Sequence, residues 1–475
     1  MTNVYESVLG SRYAGKDMQY IFSYENKIKT WRKLWIALAK AQKQLGLDIT
    51  DEQIQELEKF KDDINFDVAN AREKEVRHDV MAHIYAYGVQ CPKAKPIIHL
   101  GATSCYVGDN TDIILSRQAL FIVQKKLVNI IRILSDFAQK YKDVPTLAYT
   151  HLQTAQPTTV GKRACLWIND LVMDLKDLGY RLSNISLLGS KGTTGTQASF
   201  KELFNNDEEK VFSLDMYIAE YLGFDNIIPV SGQTYSRKID SQILDLLSQI
   251  AQSAYKFSND IRFLQHLKEI EEPFASKQVG SSAMAYKRNP MRSERMAALC
   301  RYVIVDALNT DFTAASQFLE RTLDDSANKR ISIPEAFLAI DGILNLYSNI
   351  ADGLIVYENV INKHLEEELP FMMTENILMN AVKKGGDRQQ LHEKIRVYSM
   401  QASENIKAYG KENNLLDMIL QDPSFNLTKE ELEYLKNPNL YSGMAARQTE
   451  IFLDKVRNII GGFDPHIAFD DEVSV

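Results

Sequence analysis

Between Ser236 and Glu271 the chain runs for 36 residues without a proline or a glycine. Within that run Ile239, Ile243, Leu246, Ile250, Ala254, Phe257, Ile261 and Leu264 recur at steps of three and four, which places them on one stripe of an α-helix. At about 1.5 Å per residue such a helix spans roughly 54 Å, against an average helix of about 11–12 residues. A rod of that length needs neighbours of similar length beside it. The sequence supplies them, with comparable segments near Thr111–Tyr141, Val160–Leu187, Met291–Ala327 and Glu335–Glu366. Strand-like alternation is almost absent. The expected fold is therefore all-α, an elongated bundle of about five long helices. Leu244 and Leu247 widen the apolar coverage beyond one stripe. A helix buried on several sides needs more partners than one copy supplies, so the central bundles are expected to associate with one another.

The flanks read differently. Residues 1–103 carry shorter helices, such as Asn26–Leu45 and Asp51–Phe60, and a turn-rich Cys91–Pro96. Beyond the bundle, assigned to residues 104–357, the segment 358–475 is broken by Gly385-Gly386, Pro423 and Pro438. Two smaller helical domains flanking the bundle are expected. A length of 475 residues supports this division, since single cores stop growing near about 250–300 residues.

Composition excludes several classes. With 45% hydrophobic residues the chain is not disordered. A net charge of −8 argues against a general nucleic-acid binder, whose footprint is a basic face. A small anion held by a few local arginines remains compatible. Cys91, Cys105, Cys165 and Cys300 form no CxxC pair, so free thiols in a reducing compartment are expected rather than a disulfide framework or zinc site. The N-terminal residues lack the pattern of a signal peptide and no run reaches the roughly 18 apolar residues of a membrane span. A cytoplasmic location with no membrane partner is the expectation.

Chemistry-bearing residues gather between the long helices. His99–Asp109 holds Gly101 and Gly108 beside the hydroxyls of Thr103 and Ser104, just before a helix, with Asp109 or Asn110 read as its N-cap. Thr150–Thr159 sets His151 among short polar residues, where its pKa suits proton transfer near neutral pH. Gly189–Thr196 looks like a phosphate loop but fails the P-loop pattern, and a lid or a tight connection is the better reading. Lys277–Met291 carries two serines after a glycine, then Lys287, Arg288 and Asn289 at a helix start. Asn289 is expected as N-cap and Pro290 as the first helical residue, which sets the loop at the positive end of a helix dipole. Arg321–Arg330 mixes Arg321, Ser326, Lys329 and Arg330, a set that suits phosphate or carboxylate or simply a solvated turn. Arg12-Tyr13 and Arg77-His78-Asp79 share that ambiguity. A serine hydrolase is disfavoured, because neither a G-x-S-x-G elbow nor the strands to carry one are present.

Together these segments resemble the adenylosuccinate lyases of the fumarase/aspartase superfamily. The superfamily signature Gly-Ser-Ser-x-Met-Pro-x-Lys-x-Asn-Pro stands here as Gly280-Ser-Ser-Ala-Met-Ala-Tyr-Lys-Arg-Asn-Pro290, with Ala285 in place of the proline. Segments around Arg12, Arg77, His99–Asp112, Thr150–Arg163, Gly192–Phe200, Ser231–Arg237 and Arg321–Arg330 are similar in the same order, across nearly the whole chain. The resemblance implies fumarate-releasing β-elimination with C–N cleavage, on adenylosuccinate and on the succinylated carboxamide imidazole ribotide. It implies no cofactor and no metal. It also implies a homotetramer around a shared helical core, with active sites drawn from different subunits. By motif position Ser281 is implied as general base and His151 as general acid. Lys287 and Asn289 would hold developing carboxylate charge, and Thr103, Ser104, Gln233 and Arg295 would orient the carboxylates and nearby polar atoms. Arg77, His78 and Asp79 would bind substrate. Arg12, Tyr13, Arg321, Ser326 and Arg330 would hold phosphate and ribose.

Overall fold

The computed structural model describes residues 5–274, 283, 284 and 286–464. Ser281 and Ala285 of the signature lie outside the described residues. In chain order, the elements that build and frame the site are α1 (Tyr24–Gln44), α2 (Asp79–Gln90), α3 (Ser104–Lys140), the hairpin β1 (Pro145–Thr150) and β2 (Gln153–Thr159), α4 (Val160–Asn184), α5 (Lys238–His266), α6 (Met291–Ser316), α7 (Asp325–Asp352), α8 (Glu358–Lys383) and α9 (Ala445–Ile460). The fold is all-α, with the bundle made by α3, α4, α5, α6 and α7.

Local chemistry sets these boundaries. Thr159 caps α4 by accepting from the Lys162 amide at 3.1 Å. The helix expected over Met291–Ala327 ends earlier, at Ser316, where Gln317 turns extended; a new helix then starts at Asp325. The intervening turn carries Arg321. The helix expected over Glu335–Glu366 breaks at Gly353, which packs against the Pro273 ring, and the short strand Ile355–Val356 pairs with Ile270–Glu271. The start of α6 also differs from expectation. Met291 is its first helical residue and Pro290 stands at the cap. The cap function falls to Glu272, which accepts from the amides of Arg292 (3.0 Å) and Ser293 (2.9 Å) and from the Ser293 hydroxyl (2.7 Å). A carboxylate of the chain thus already occupies the positive end of that helix.

The bundle core runs from Leu115 on α3 through Ile168 and Leu171 of α4 to Phe257, Met296 and Ile340, and it takes in Leu453, Val456 and Ile460 of α9. A second core unites Trp31, Trp35 and Tyr87 with Phe200, Leu214 and Tyr235. A third lies within residues 369–435 and includes Met373, Ile395, Ile419 and Phe425. One buried ion pair crosses the bundle: Lys126 of α3 meets Asp341 of α7 at 2.6 Å, and Asp341 also accepts from the Gly15 amide at 2.7 Å. That contact ties the N-terminal segment to the long helices. Among the described residues no helix is long and apolar enough to cross a membrane.

Candidate active site

A cavity of about 650 Å³ opens where α1, α2, α3 and α7 meet. Of the expected site residues, Arg77, His78, Asp79, Ser104, Arg321, Ser326 and Arg330 line it. Backbone geometry presents the first three. Arg77 takes a left-handed conformation (φ 53°) that ends one helix, and His78 then caps α2, its Nδ1 accepting from the Met81 amide at 3.4 Å. His78 Nε2 lies within hydrogen-bond distance of Ser104 Oγ, at 3.2 Å. Asp79 is anchored by its contact with the Val80 amide (2.8 Å) and reaches Arg330 at 3.8 Å.

Beneath the cavity lies a buried charge network whose pairing of cations with carboxylates the sequence does not show. Asp109 and Asn110 are not N-caps; both are buried inside α3. Asp109 accepts from Arg237 Nη1 and Nη2 at 3.0 and 3.2 Å, and Arg237 Nε donates to Asp325 at 2.7 Å. Asp325 also holds Arg321 at 2.9 Å. Lys329 meets Asp112 at 2.6 Å. Burial works against the Lys329 charge, but Asp112 and Asp109 outweigh it and hold the ammonium above its ordinary pKa. Of this floor the sequence showed the cations Arg321 and Lys329 within the Arg321–Arg330 set, but not the carboxylates Asp109 and Asp112 that hold Arg237 and Lys329. Arg237 lies 128 residues from Asp109.

Asn110 does separate work, bonding the Gly189 amide and carbonyl at 3.0 Å each. Ser190 and Lys191 are tied to buried Asp215 at 2.7 Å. These bonds pin Gly189–Lys191, the first part of the segment read as a lid or a tight connection, while Thr193, Thr194 and Thr196 are exposed.

The remaining expected site residues that are described do not line the cavity. Thr103 is the N-cap residue of α3 without a capping side-chain bond. Gln233 stands close by, its Oε1 3.4 Å from Cys105 Sγ and its amide donating to Glu320 at 3.0 Å. Arg12 and Tyr13 sit in the Leu9–Tyr13 turn against α7, where Asn345 donates to the Tyr13 carbonyl at 3.3 Å. Lys287 is exposed, and the Asn289 carbonyl accepts from the Met291 amide at 2.8 Å. Arg295 Nη1 is buried with no hydrogen-bond partner among the described residues. His151 stands exposed at the tip of the β1–β2 hairpin. His151 and Leu152 both have positive φ (54° and 56°), the signature of a type I′ turn built without glycine.

Residues 18–305 match the family model described as Lyase, and residues 370–452 match that described as Adenylosuccinate lyase C-terminus. The chain is 49% identical over 478 residues to the adenylosuccinate lyase of Saccharomyces cerevisiae, covering 99% of this chain and 98% of that one. It is 50% identical over 457 residues to that of Schizosaccharomyces pombe, covering 95% and 94%. The fold matches the crystal structure of 3-carboxy-cis,cis-muconate lactonizing enzyme from Pseudomonas putida with TM-score 0.82 at 22% identity, over 95% of this chain and 99% of that chain. On a family match across most of its length and near-half identity to relatives covered end to end, the chain belongs to the adenylosuccinate lyase family of the fumarase/aspartase superfamily.

Proposed function

We propose that this chain cleaves adenylosuccinate to AMP and fumarate, and the succinylated carboxamide imidazole ribotide to its carboxamide and fumarate. The observation that carries the reading is near-half identity to adenylosuccinate lyases over the full chain, with the signature Gly280–Pro290 kept except at Ala285. The basic groups around the cavity support it, since the substrate is a phosphate bearing two further carboxylates.

In this reading Ser281 removes the proton beside a succinyl carboxylate and the electron pair is held as a dianionic aci-carboxylate. Collapse of that species breaks the C–N bond, and His151 delivers a proton to the departing nitrogen. A serine is a competent base only if its alkoxide is stabilised. Glu272 fills the start of α6, so that help is assigned to Lys287 and Asn289 rather than to the helix dipole. Arg77, His78, Asp79, Thr103, Ser104, Gln233 and Arg295 bind and orient substrate. Arg12, Tyr13, Arg321, Ser326 and Arg330 serve phosphate and ribose. An exposed His151 that lies off the cavity is consistent with sites completed by other subunits of a homotetramer. The three-part division at residues 103/104 and 357/358 and a cytoplasmic location belong to the same proposal.

Incubation of the purified protein with adenylosuccinate, with AMP and fumarate assayed together, tests the activity; release of neither product removes it. His151→Ala and Ser281→Ala are each expected to lower kcat by about 10²–10⁴-fold with the fold intact. A variant that keeps near-wild-type turnover has no role in proton transfer.

A further inference from the structure

We infer that Lys27, on the first turn of α1, is a ligand for the phosphate of the mononucleotide in this cavity. The inference rests on the reading above and adds a residue to it. Six cationic side chains line the cavity: Lys27, Arg77, Arg237, Arg321, Lys329 and Arg330. Three are already held at hydrogen-bond distance by carboxylates of the chain, and a fourth, Arg330, only skirts one. Arg237 is held between Asp109 and Asp325, Arg321 lies on Asp325 at 2.9 Å, Lys329 on Asp112 at 2.6 Å, and Arg330 reaches Asp79 at 3.8 Å. Among the described residues, no carboxylate lies within 4.0 Å of Lys27 or of Arg77. Arg77 is exposed at the rim. Lys27 is partly buried, with its ammonium 5.2 Å from the Trp31 ring centroid.

The surroundings of Lys27 explain why an anion belongs there. Burial, opposed by Asp112 and reinforced by the charge of Arg330, leaves the ammonium below its ordinary pKa. A partly desolvated cation that shares the cavity lining with another cation, with no carboxylate in contact, gains from a dianion bound in that cavity. Arg330 and Ser326 stand four residues apart on α7, one turn of the same face. Lys27 approaches this pair from α1, so the three groups come from two different elements. The cavity thus offers an oxyanion an ammonium, a guanidinium and a hydroxyl. Sequence reading passed over Lys27 because it sits in an ordinary amphipathic helix, among residues whose pattern is explained by packing.

Calorimetric titration of AMP, adenosine and fumarate into wild type, Lys27→Met and Lys27→Arg tests this, with Lys411→Met as a distant control. Lys27→Met is expected to weaken AMP at least about tenfold and to leave adenosine within twofold. KM for adenylosuccinate should rise by a similar factor while kcat changes much less. Lys27→Arg should recover most of the loss, and Lys411→Met should behave as wild type. If wild type binds AMP and Lys27→Met binds it equally, this inference falls alone. Loss of fumarate binding with AMP binding kept would assign Lys27 to a carboxylate and overturn the phosphate. Wild type that neither binds AMP nor turns over adenylosuccinate overturns the proposed function, and Lys27 with it.

Discussion

Single side chains show how this bundle tolerates charge. Asp174 lies buried on α4 beside Asp170 and Asp177, and its Oδ2 finds no hydrogen-bond partner among the described residues. Burial pushes its carboxyl up to about 7; Ser253 pulls against this, and Asp170 and Asp177 add to it. In the unfolded chain the group titrates at about 3.9. The folded state therefore binds this proton more tightly, and its contribution to stability falls as pH rises from about 4 to about 7, then stays flat. Asp174→Asn removes the penalty. It should melt above wild type at pH 8, with the gap narrowing as pH approaches 5. A lower Tm at pH 8 would show that ionised Asp174 is stabilised instead. The same scale separates what local order reveals from what it hides. Arg77, His78 and Asp79 are adjacent, so their clustering is visible in the sequence. The bond between Asp109 and Arg237 spans 128 positions and has no local signature.

Elements meet at points where side-chain size decides. Gly161 opens the first turn of α4, and a Cβ there would fall 2.3 Å from the Ala138 carbonyl oxygen and 2.6 Å from Lys142 Cα, both backbone atoms. Neither neighbour can rotate away. Gly161→Ala is expected to destabilise the protein by about 1–3 kcal/mol or more, read as a lower midpoint in urea. Since the hairpin carrying His151 runs directly into α4, activity should fall more than folding alone explains. An unchanged midpoint would mean that α3 and α4 can part at no cost. The hairpin itself was hidden in the sequence, because its turn uses His151 and Leu152 where a type I′ turn ordinarily announces itself by Asn-Gly. The ends of α6 and α7 were blurred for a related reason. Residues 317–324 contain no proline or glycine to mark the break; the turn is tied instead by its own Asp324 carboxylate, which accepts from Ser316, Gln317 and Thr322.

At the scale of the whole molecule, one chain leaves apolar surface uncovered on two of its bundle helices. Val305 (64% exposed), Leu308 and Phe312 (73% exposed) share a face of α6, and Leu166, Met173 and Tyr180 recur every seven residues along α4. Faces of this kind on a bundle suit contact with other copies, which the proposed homotetramer would supply. Sedimentation is expected to give a tetramer at micromolar concentration, and the double substitution Val305→Glu with Phe312→Glu should shift it toward smaller species with reduced activity. A wild-type protein that sediments only as a monomer would remove both the shared core and the shared sites from the proposal.

By itself the sequence determined the all-α fold, because a 3.6-residue apolar period over dozens of positions can be buried only by long helical neighbours. It also determined the family, because the signature is contiguous. Only the tertiary structure decided which cations remain available. Whether Lys27, Arg237 or Lys329 faces a carboxylate depends on chains of contact between distant elements. Charge pairing acts through space over a few ångströms, and the order of residues along the chain carries almost none of that distance.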